Sequence, residues 1–307
     1  MKLCFVLNAN PESHGGTPAV VRNIRRYIKS DVFFGRGKGI FSFLYPSVTA
    51  IKILPGNYDI VNIHDTQGYV YSILPKFMRK KIVYTCHGLW ELHFSIDPPK
   101  GFIQRIKAKT AITMQKAIIK KADHIIAVSN FIKGAIIKKY KIEESRITVI
   151  HNGVDTKKFY DMKKKRERKL AIWVGKDPVR KGLDKAIEYV RKNNMKLVVV
   201  GIKRPDEDCV QYMGDVPDET LRELYNTASV LLFFTKAEAH PLVPLEAMAC
   251  GLDVIASKES NIEIVPPQKD GSYKISGKKA LKIIKKYDWK NVAKKYMEVY
   301  KKVMKMK

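Results

Sequence analysis

Residues 229–257 read SVLLFFTKAEAHPLVPLEAMACGLDVIAS, an apolar run (Val230–Phe234) followed by two glutamates, Glu238 and Glu246, with seven residues between them. The run Val230–Thr235 is short and rich in β-favouring side chains, the pattern of a strand buried on both faces of a parallel sheet. A helix is predicted after it. Pro244 suits a first helical position, Leu245, Ala247, Met248 and Ala249 are good helix formers, and Gly251 supplies a stop. Glu238 is thereby placed in the loop at the strand's carboxyl end and Glu246 in the first turn of the helix.

Ligands of open α/β sheets bind along that rim, where a helix N-terminus offers free N–H groups and a positive dipole end to an anion. Two carboxylates beside it suit a polyhydroxylated ligand, since each accepts hydrogen bonds from vicinal hydroxyls. The same two residues fit an ordinary helix-dipole partner and a solvated loop residue equally well, so the rest of the chain decides.

At 307 residues the chain has room for two domains, each with its own core. No stretch of 18 uncharged apolar residues occurs, so no spanning helix is expected, and MKLCFVLNAN reads directly as a strand without the basic and cleavable regions of a signal peptide. Cys4, Cys86, Cys209 and Cys250 are scattered without metal-type spacing, which predicts reduced thiols and a cytoplasmic protein. The net charge of +28 is spread evenly, with 24 basic against 10 acidic residues in 1–155 and 34 against 20 in 156–307. Such a balance favours anionic partners, whether nucleic acid, acidic lipid or a phosphorylated substrate, and does not choose among them.

From the N-terminus, a strand at Lys2–Leu7 runs into a loop with Gly15 and Gly16 and then an amphipathic helix, an arrangement that lets backbone approach a ligand closely. Ile60–Ile63 and Ile82–Thr85 are two further strands, each followed by a histidine, His64 in NIHDTQG and His87 in YTCHGLW. A rim histidine serves as hydrogen-bond donor or general acid–base, although single histidines are more often structural. The aromatic segment 40–45 beside Arg36 and Lys38, and the acid-free stretch Pro98–Ala122 with seven basic residues, are candidates for an anionic membrane surface. A solvated face on a sheet-covering helix accounts for the second equally well. Strands at His124–Val128 and Ile147–Ile150 follow, then HNGVDTKKF. The charge run DMKKKRERK, 161–169, is predicted to be the interdomain linker, after which Leu170–Val174, Lys196–Val200, Val230–Thr235 and Asp253–Ala256 form a second strand series. Lys176 and Lys181 flank a turn where two ammonium groups suit a diphosphate. The tail carries an apolar stripe at Trp289, Val292, Tyr296, Val299 and Val303. Alternating strands and helices in both halves predict an α/β protein of two doubly wound parallel-sheet domains.

Taken together, GG after the first strand, TCHG, KKADHIIAVSNFIK, VIHNGVDTKKF, VGKDPVRKGLDKAIE, EAHPLVPLEAMACG and DWKNVAKKYMEVY resemble the retaining glycosyltransferases of family four. The resemblance implies the GT-B fold, two Rossmann-like domains facing a cleft: 1–160 binding the acceptor, 170–285 binding the nucleotide sugar, and a final helix, 286–307, crossing back to the first. It also implies catalytic roles for His87, Glu238 and Lys181. Donor contacts are implied for Gly15, Gly16, Gly175, Lys176, Lys181, Glu238, His240, Leu242, Val243 and Glu246, with Glu238 serving the transferred sugar and Glu246 the ribose. Lys176 stands where the family usually has arginine and lacks the bidentate fork. Ala239, His240 and Pro241 replace a glycine–aromatic–glycine link, and proline brings no N–H. KESNIEIV is a shortened form of the family's next loop.

The expectation is a retaining sugar transfer from a nucleotide-diphosphate sugar to an acceptor hydroxyl, lipid-linked or part of a cell-envelope glycan. No cofactor and no metal are expected, and attachment is to the inner face of the cell membrane. A nucleotide-sugar epimerase, a phosphorylase or another GT-B enzyme would share the fold. Nucleic-acid binding is suggested by charge alone, without an aromatic-interleaved basic motif, and is not expected.

Overall fold

The computed structural model describes residues 1–13, 15–35 and 45–306. The aromatic segment at 40–44 lies outside them. The chain divides into two compact units: Met1–His151 with Trp289–Lys307, and Asn152–Asp288.

The first unit holds a six-stranded sheet of β1 (Leu3–Leu7), β2 (Asp31–Phe34), β3 (Ile60–Ile63), β4 (Lys81–Cys86), β5 (His124–Ala127) and β6 (Ile147–Val149), ordered β2-β1-β3-β4-β5-β6 and parallel throughout. Its helices are α1 (Gly16–Arg25), α2 (Tyr45–Ile53), α3 (Tyr69–Ile73), α4 (Trp90–Ile96), α5 (Phe102–Lys121) and α6 (Asn130–Tyr140). Every residue of β1 and β3 is buried, as the unbroken apolar run of β1 requires, and β3 carries one buried polar residue, Asn62. Ser129 caps α6, its hydroxyl accepting the Ile132 N–H.

The second unit has β7 (Leu170–Val174), β8 (Lys196–Val200), β9 (Val210–Gly214), β10 (Val230–Phe233), β11 (Asp253–Ala256) and β12 (Tyr273–Ile275), ordered β12-β11-β10-β7-β8-β9, with α7 (Leu183–Lys192), α8 (Asp218–Thr227), α9 (Leu242–Ala249) and α10 (Gly277–Ile284). Alternation along the strands fills both faces. Ile172, Leu231 and Phe233 join one core cluster, while Ala171, Trp173, Val230 and Leu232 join the other. The sheet is not wholly parallel, because β12 runs antiparallel to β11.

The closing helix α11 (Trp289–Lys305) belongs to the first unit. Trp289, Val292, Tyr296, Val299 and Val303, the stripe seen in the sequence, are all buried. A buried polar network fixes its register: Thr85 Oγ1 donates to Asn62 Oδ1 (3.0 Å), and Asn62 Nδ2 donates to Tyr300 Oη (2.6 Å).

The charge run 161–169 is not a free linker, for it lies within the second unit. The Arg166 guanidinium satisfies three carbonyls there, Tyr225 O (2.7 Å), Ala228 O (3.0 Å) and Cys250 O (2.7 Å). The chain passes between units at 151–152 and 288–289 instead.

Candidate functional site

In each sheet the strand order reverses direction once, between β1 and β3 in the first and between β7 and β10 in the second. The carboxyl ends of those strands are where doubly wound sheets hold ligands. The sequence-predicted residues fall on these four loops, on the loop after β4, and at the starts of the helices α1 and α9 that two of the loops lead into.

In the second unit the β7 loop climbs from Gly175 to Gly182 and the β10 loop from Phe234 to Pro241. Gly182 sits in the left-handed region (φ 64°), and a Cβ there would lie 2.1 Å from the Phe234 carbonyl oxygen, so only glycine lets the two loops close on each other. Trp173 Nε1 donates to Lys181 O (3.1 Å), which seats the lysine backbone. The Lys181 ammonium pairs with Glu238 Oε1 and stands 4.9 Å from the Phe233 ring centre. Arg180, unnoticed in the sequence, adds a second cation: its Nη1 donates to the same Glu238 oxygen (3.1 Å) and to Ala237 O (3.3 Å), while its Nε meets Asp177 Oδ2 (3.2 Å). Lys181 and Glu238 side chains are only 15% and 17% exposed, so their attraction is weakly screened. Lys176 does not join them. It pairs with Asp215 Oδ2 at 2.8 Å on the surface, both side chains being more than half exposed.

The segment after β11 supports Glu238 from behind. The Glu238 N–H donates to Glu259 O (3.0 Å), and the Asn261 side-chain amide donates to Glu238 O, with Asn261 itself left-handed at φ 49°. The shortened loop is thus a brace under the carboxylate. The Ala239–His240–Pro241 link is held from HNGVD, as Asn152 Nδ2 donates to the buried His240 carbonyl (2.7 Å).

The helix α9 begins two residues earlier than the sequence suggested. Pro241 is its N-cap (φ −75°, ψ 145°), Leu242 its first residue, and Pro244 its third. Glu246 is therefore fifth in the helix rather than in its first turn. Proline costs no hydrogen bond at the N-cap, because the first N–H groups of a helix have no intrahelical partner. No side chain caps this end, which leaves the Leu242 and Val243 amides at the mouth of the loop. Glu246 is half-buried beside Tyr225, whose hydroxyl donates to Oε2 at 3.4 Å. Burial pushes its pKa up to about 7, opposed by the Tyr225 bond and the Lys158 charge.

In the first unit, Gly15 (φ 139°) is the N-cap of α1 and Gly16 its first residue, again without a side-chain cap. The two rim histidines meet. His64 Nδ1 and His87 Nε2 are 2.9 Å apart, and the rings stack at 5.2 Å with 20° between planes. Burial pushes the His64 pKa well below the usual range and His87 down to about 4, so the pair is neutral near pH 7 and one ring donates to the other. Asp65, which the sequence did not mark, accepts the Asn8 N–H (2.6 Å) and the Gln67 N–H (3.1 Å), tying the ends of β1 and β3 together. Burial pushes it up to about 7. All four cysteines are free thiols, and Cys4, Cys86 and Cys250 are buried.

Among the described residues no three His, Cys, Asp or Glu side chains group as a metal site, and no helix is long and apolar enough to cross a membrane.

Comparison with known proteins agrees with this fold. Residues 6–158 match the model for Glycosyltransferase Family 4, and residues 154–301 match that for Glycosyl transferases group 1. The chain is 28% identical over 245 residues to an O-antigen chain mannosyltransferase of Salmonella typhimurium, covering 69% of this chain and 68% of that protein. Its fold is similar to that of sucrose-phosphate synthase from Thermosynechococcus elongatus (TM-score 0.77, 18% identity, 99% of both chains). It is also similar to the lipopolysaccharide outer core galactosyltransferase WaaB (TM-score 0.72, 17% identity, 98% of this chain and 100% of that one). Two mostly parallel sheets with interleaved helices, their ligand-type loops at the reversal points, and matches spanning nearly the whole length show that the chain belongs to the group 1 glycosyltransferases of GT-B fold.

Proposed function

We propose that the chain moves a sugar from a nucleotide-diphosphate sugar to a hydroxyl of a lipid-linked or cell-envelope glycan, with retention at the anomeric carbon and without a resident metal, at the cytoplasmic face of the membrane. The observation that carries this is the Lys181–Glu238 pair at the β7/β10 reversal point, beside the uncapped end of α9. The leaving diphosphate, already anionic in the donor, gains one more negative charge as the anomeric C–O bond breaks, and something must neutralise it. Lys181 and Arg180 are the nearest cations, with the Leu242 and Val243 amides and the exposed Lys176 as further donors, and they do the work a divalent ion does elsewhere. Glu238 accepts hydrogen bonds from the transferred sugar, Glu246 from the ribose, and neutral His87 is a hydrogen-bond partner at the reacting centre.

A carboxylate already bonded to two cations is a poor nucleophile, so Glu238 does not form a glycosyl-enzyme intermediate. The acceptor oxygen attacks on the face the diphosphate leaves, and the departing phosphate oxygen takes the acceptor proton. The relative named for the O-antigen chain supports an envelope glycan as acceptor. Incubation with uridine, guanosine and adenosine diphosphate sugars, with release of nucleoside diphosphate as readout and proton NMR of the product anomer, tests the reading. Turnover should persist in EDTA. Undiminished turnover in a Lys181→Ala, Glu246→Ala double variant would refute it.

A further inference from the structure

The helix α5 opens on an exposed segment. Every residue from Phe102 to Lys107 is exposed, and Ala108 is the first buried one. Six residues at 1.5 Å each put about 9 Å of helix ahead of its first buried residue. Large apolar side chains nevertheless populate this end, with Phe102 78%, Ile103 68% and Ile106 50% exposed. They fall at i, i+1 and i+4, on one side of the helix. Arg105, Lys107 and Lys109 surround them, and no acidic residue occurs from 98 to 122. The nearby acids are Asp97 and Glu91, the latter paired with Lys139 at 3.0 Å. Preceding α5, the short α4 has no buried residue and ends in half-exposed Ile96.

An apolar tip in a ring of cations fits a bilayer surface carrying negative headgroups, since such helices sit about 5–10 Å into the interface, close to the length of this exposed segment. We propose that the α4–α5 hairpin docks on an anionic lipid leaflet through Phe102, Ile103 and Ile106. The hairpin's base is clamped to the candidate site. Gln115 Oε1 accepts the Trp90 N–H (2.9 Å), and its Nε2 donates to Tyr84 Oη (2.8 Å) and to Gly88 O (2.8 Å), the residue after His87. A docked hairpin therefore holds the His87 loop near the headgroups, where the sugar-accepting end of a lipid-linked acceptor lies. This step rests on the function proposed above, whereas the docking surface itself does not.

The test is flotation of the full chain with vesicles of phosphatidylglycerol in phosphatidylcholine and with phosphatidylcholine alone, beside donor turnover measured without vesicles. Binding should require the anionic lipid and weaken with salt. A Phe102→Ser, Ile103→Ser, Ile106→Ser variant and an Arg105→Glu, Lys107→Glu variant should each bind at least about tenfold more weakly, with vesicle-free turnover unchanged. Equal binding to both vesicle types, or undiminished binding by the triple variant, overturns the proposal. So does a concentration-dependent dimer in sedimentation that the triple variant abolishes, which would assign the patch to a second copy. Vesicle binding without turnover of any donor would refute the sugar-transfer function while leaving the docking surface standing.

Discussion

Glu246 gives a sharp thermodynamic test of how the site is built. Burial in α9 beside Tyr225 raises its pKa from 4.5 to about 7. Between those values the native chain holds a proton that the unfolded chain has released, so this group favours folding fully below about pH 4.5 and progressively less as pH rises through 7. A displacement of that size corresponds to about 3 kcal/mol of lost stability at pH 8, reduced to about 1–3 kcal/mol because the side chain is only half-buried. Glu246→Gln has the same shape, still accepts the Tyr225 hydroxyl, and carries no charge to desolvate. It should be more stable than the wild type by about 1–3 kcal/mol at pH 8 and indistinguishable near pH 4.5. Urea denaturation at the two pH values, with unligated protein, measures this. Donor affinity should move the opposite way, falling about tenfold at pH 8 through loss of a charge-assisted acceptor. A variant less stable than the wild type at pH 8, or a stability difference independent of pH, would refute the reasoning.

Replacing Lys181 by Met leaves Glu238 with Arg180 alone, and steady-state turnover should fall by about 10²–10³ with the denaturation midpoint little changed; a loss under tenfold would contradict the assignment. Tyr300→Phe strands the buried Asn62 amide that donates to it at 2.6 Å, so urea titration should show about 1–3 kcal/mol lost. In Gly182→Ala a Cβ would fall 2.1 Å from Phe234 O in left-handed backbone, and the two rim loops must separate. Calorimetry with a nucleotide-diphosphate sugar should show donor binding lost, along with at least about 1–3 kcal/mol of stability.

The central strands were legible because a parallel strand covered on both faces is a largely apolar run, as in β1, β8 and β10 and, around the single Asn62, in β3. The strands that escaped notice, β2, β9 and β12, are all at sheet edges. There one face meets solvent and the run breaks up: DVFF opens on exposed Asp31, VQYMG alternates buried with exposed, and YKI has only three residues. The start of α9 was misplaced because Pro241 and Pro244 both satisfy the rule for a helix beginning, and only the backbone tells them apart. Lys181 and Glu238 were marked by their motifs and do meet. Arg180 was hidden by its neighbour, and the Asp215 partner of Lys176 and the Asn152 clasp on His240 lie 39 and 88 residues away in sequence. Such partners are set by strand order, which a local pattern does not carry. The 161–169 run misled for a related reason: a cluster of cations resembles a solvated linker until the carbonyls that Arg166 satisfies are brought to it.

The pairing of Lys181 with Glu238 also explains how a site with two adjacent cations stays ordered before its donor arrives. Two cations facing each other without an anion would repel. Together Glu238, Lys181, Arg180 and the Asp177 carboxylate bonded to Arg180 balance in charge, and the Asn261 and Glu259 brace fixes their place. In the proposed reaction an incoming diphosphate takes over Lys181, and the carboxylate it releases turns to the sugar hydroxyls, so partners are exchanged and no buried charge is left alone. Lys176 differs in kind. Its exposed bond to Asp215 is of the class worth about 0–1 kcal/mol, so it breaks readily, and in the proposed reaction Lys176 swings to the phosphates. Where the family resemblance sets an arginine, Lys176 brings a charge without the bidentate fork; the fork at this rim is on Arg180, already committed to Glu238.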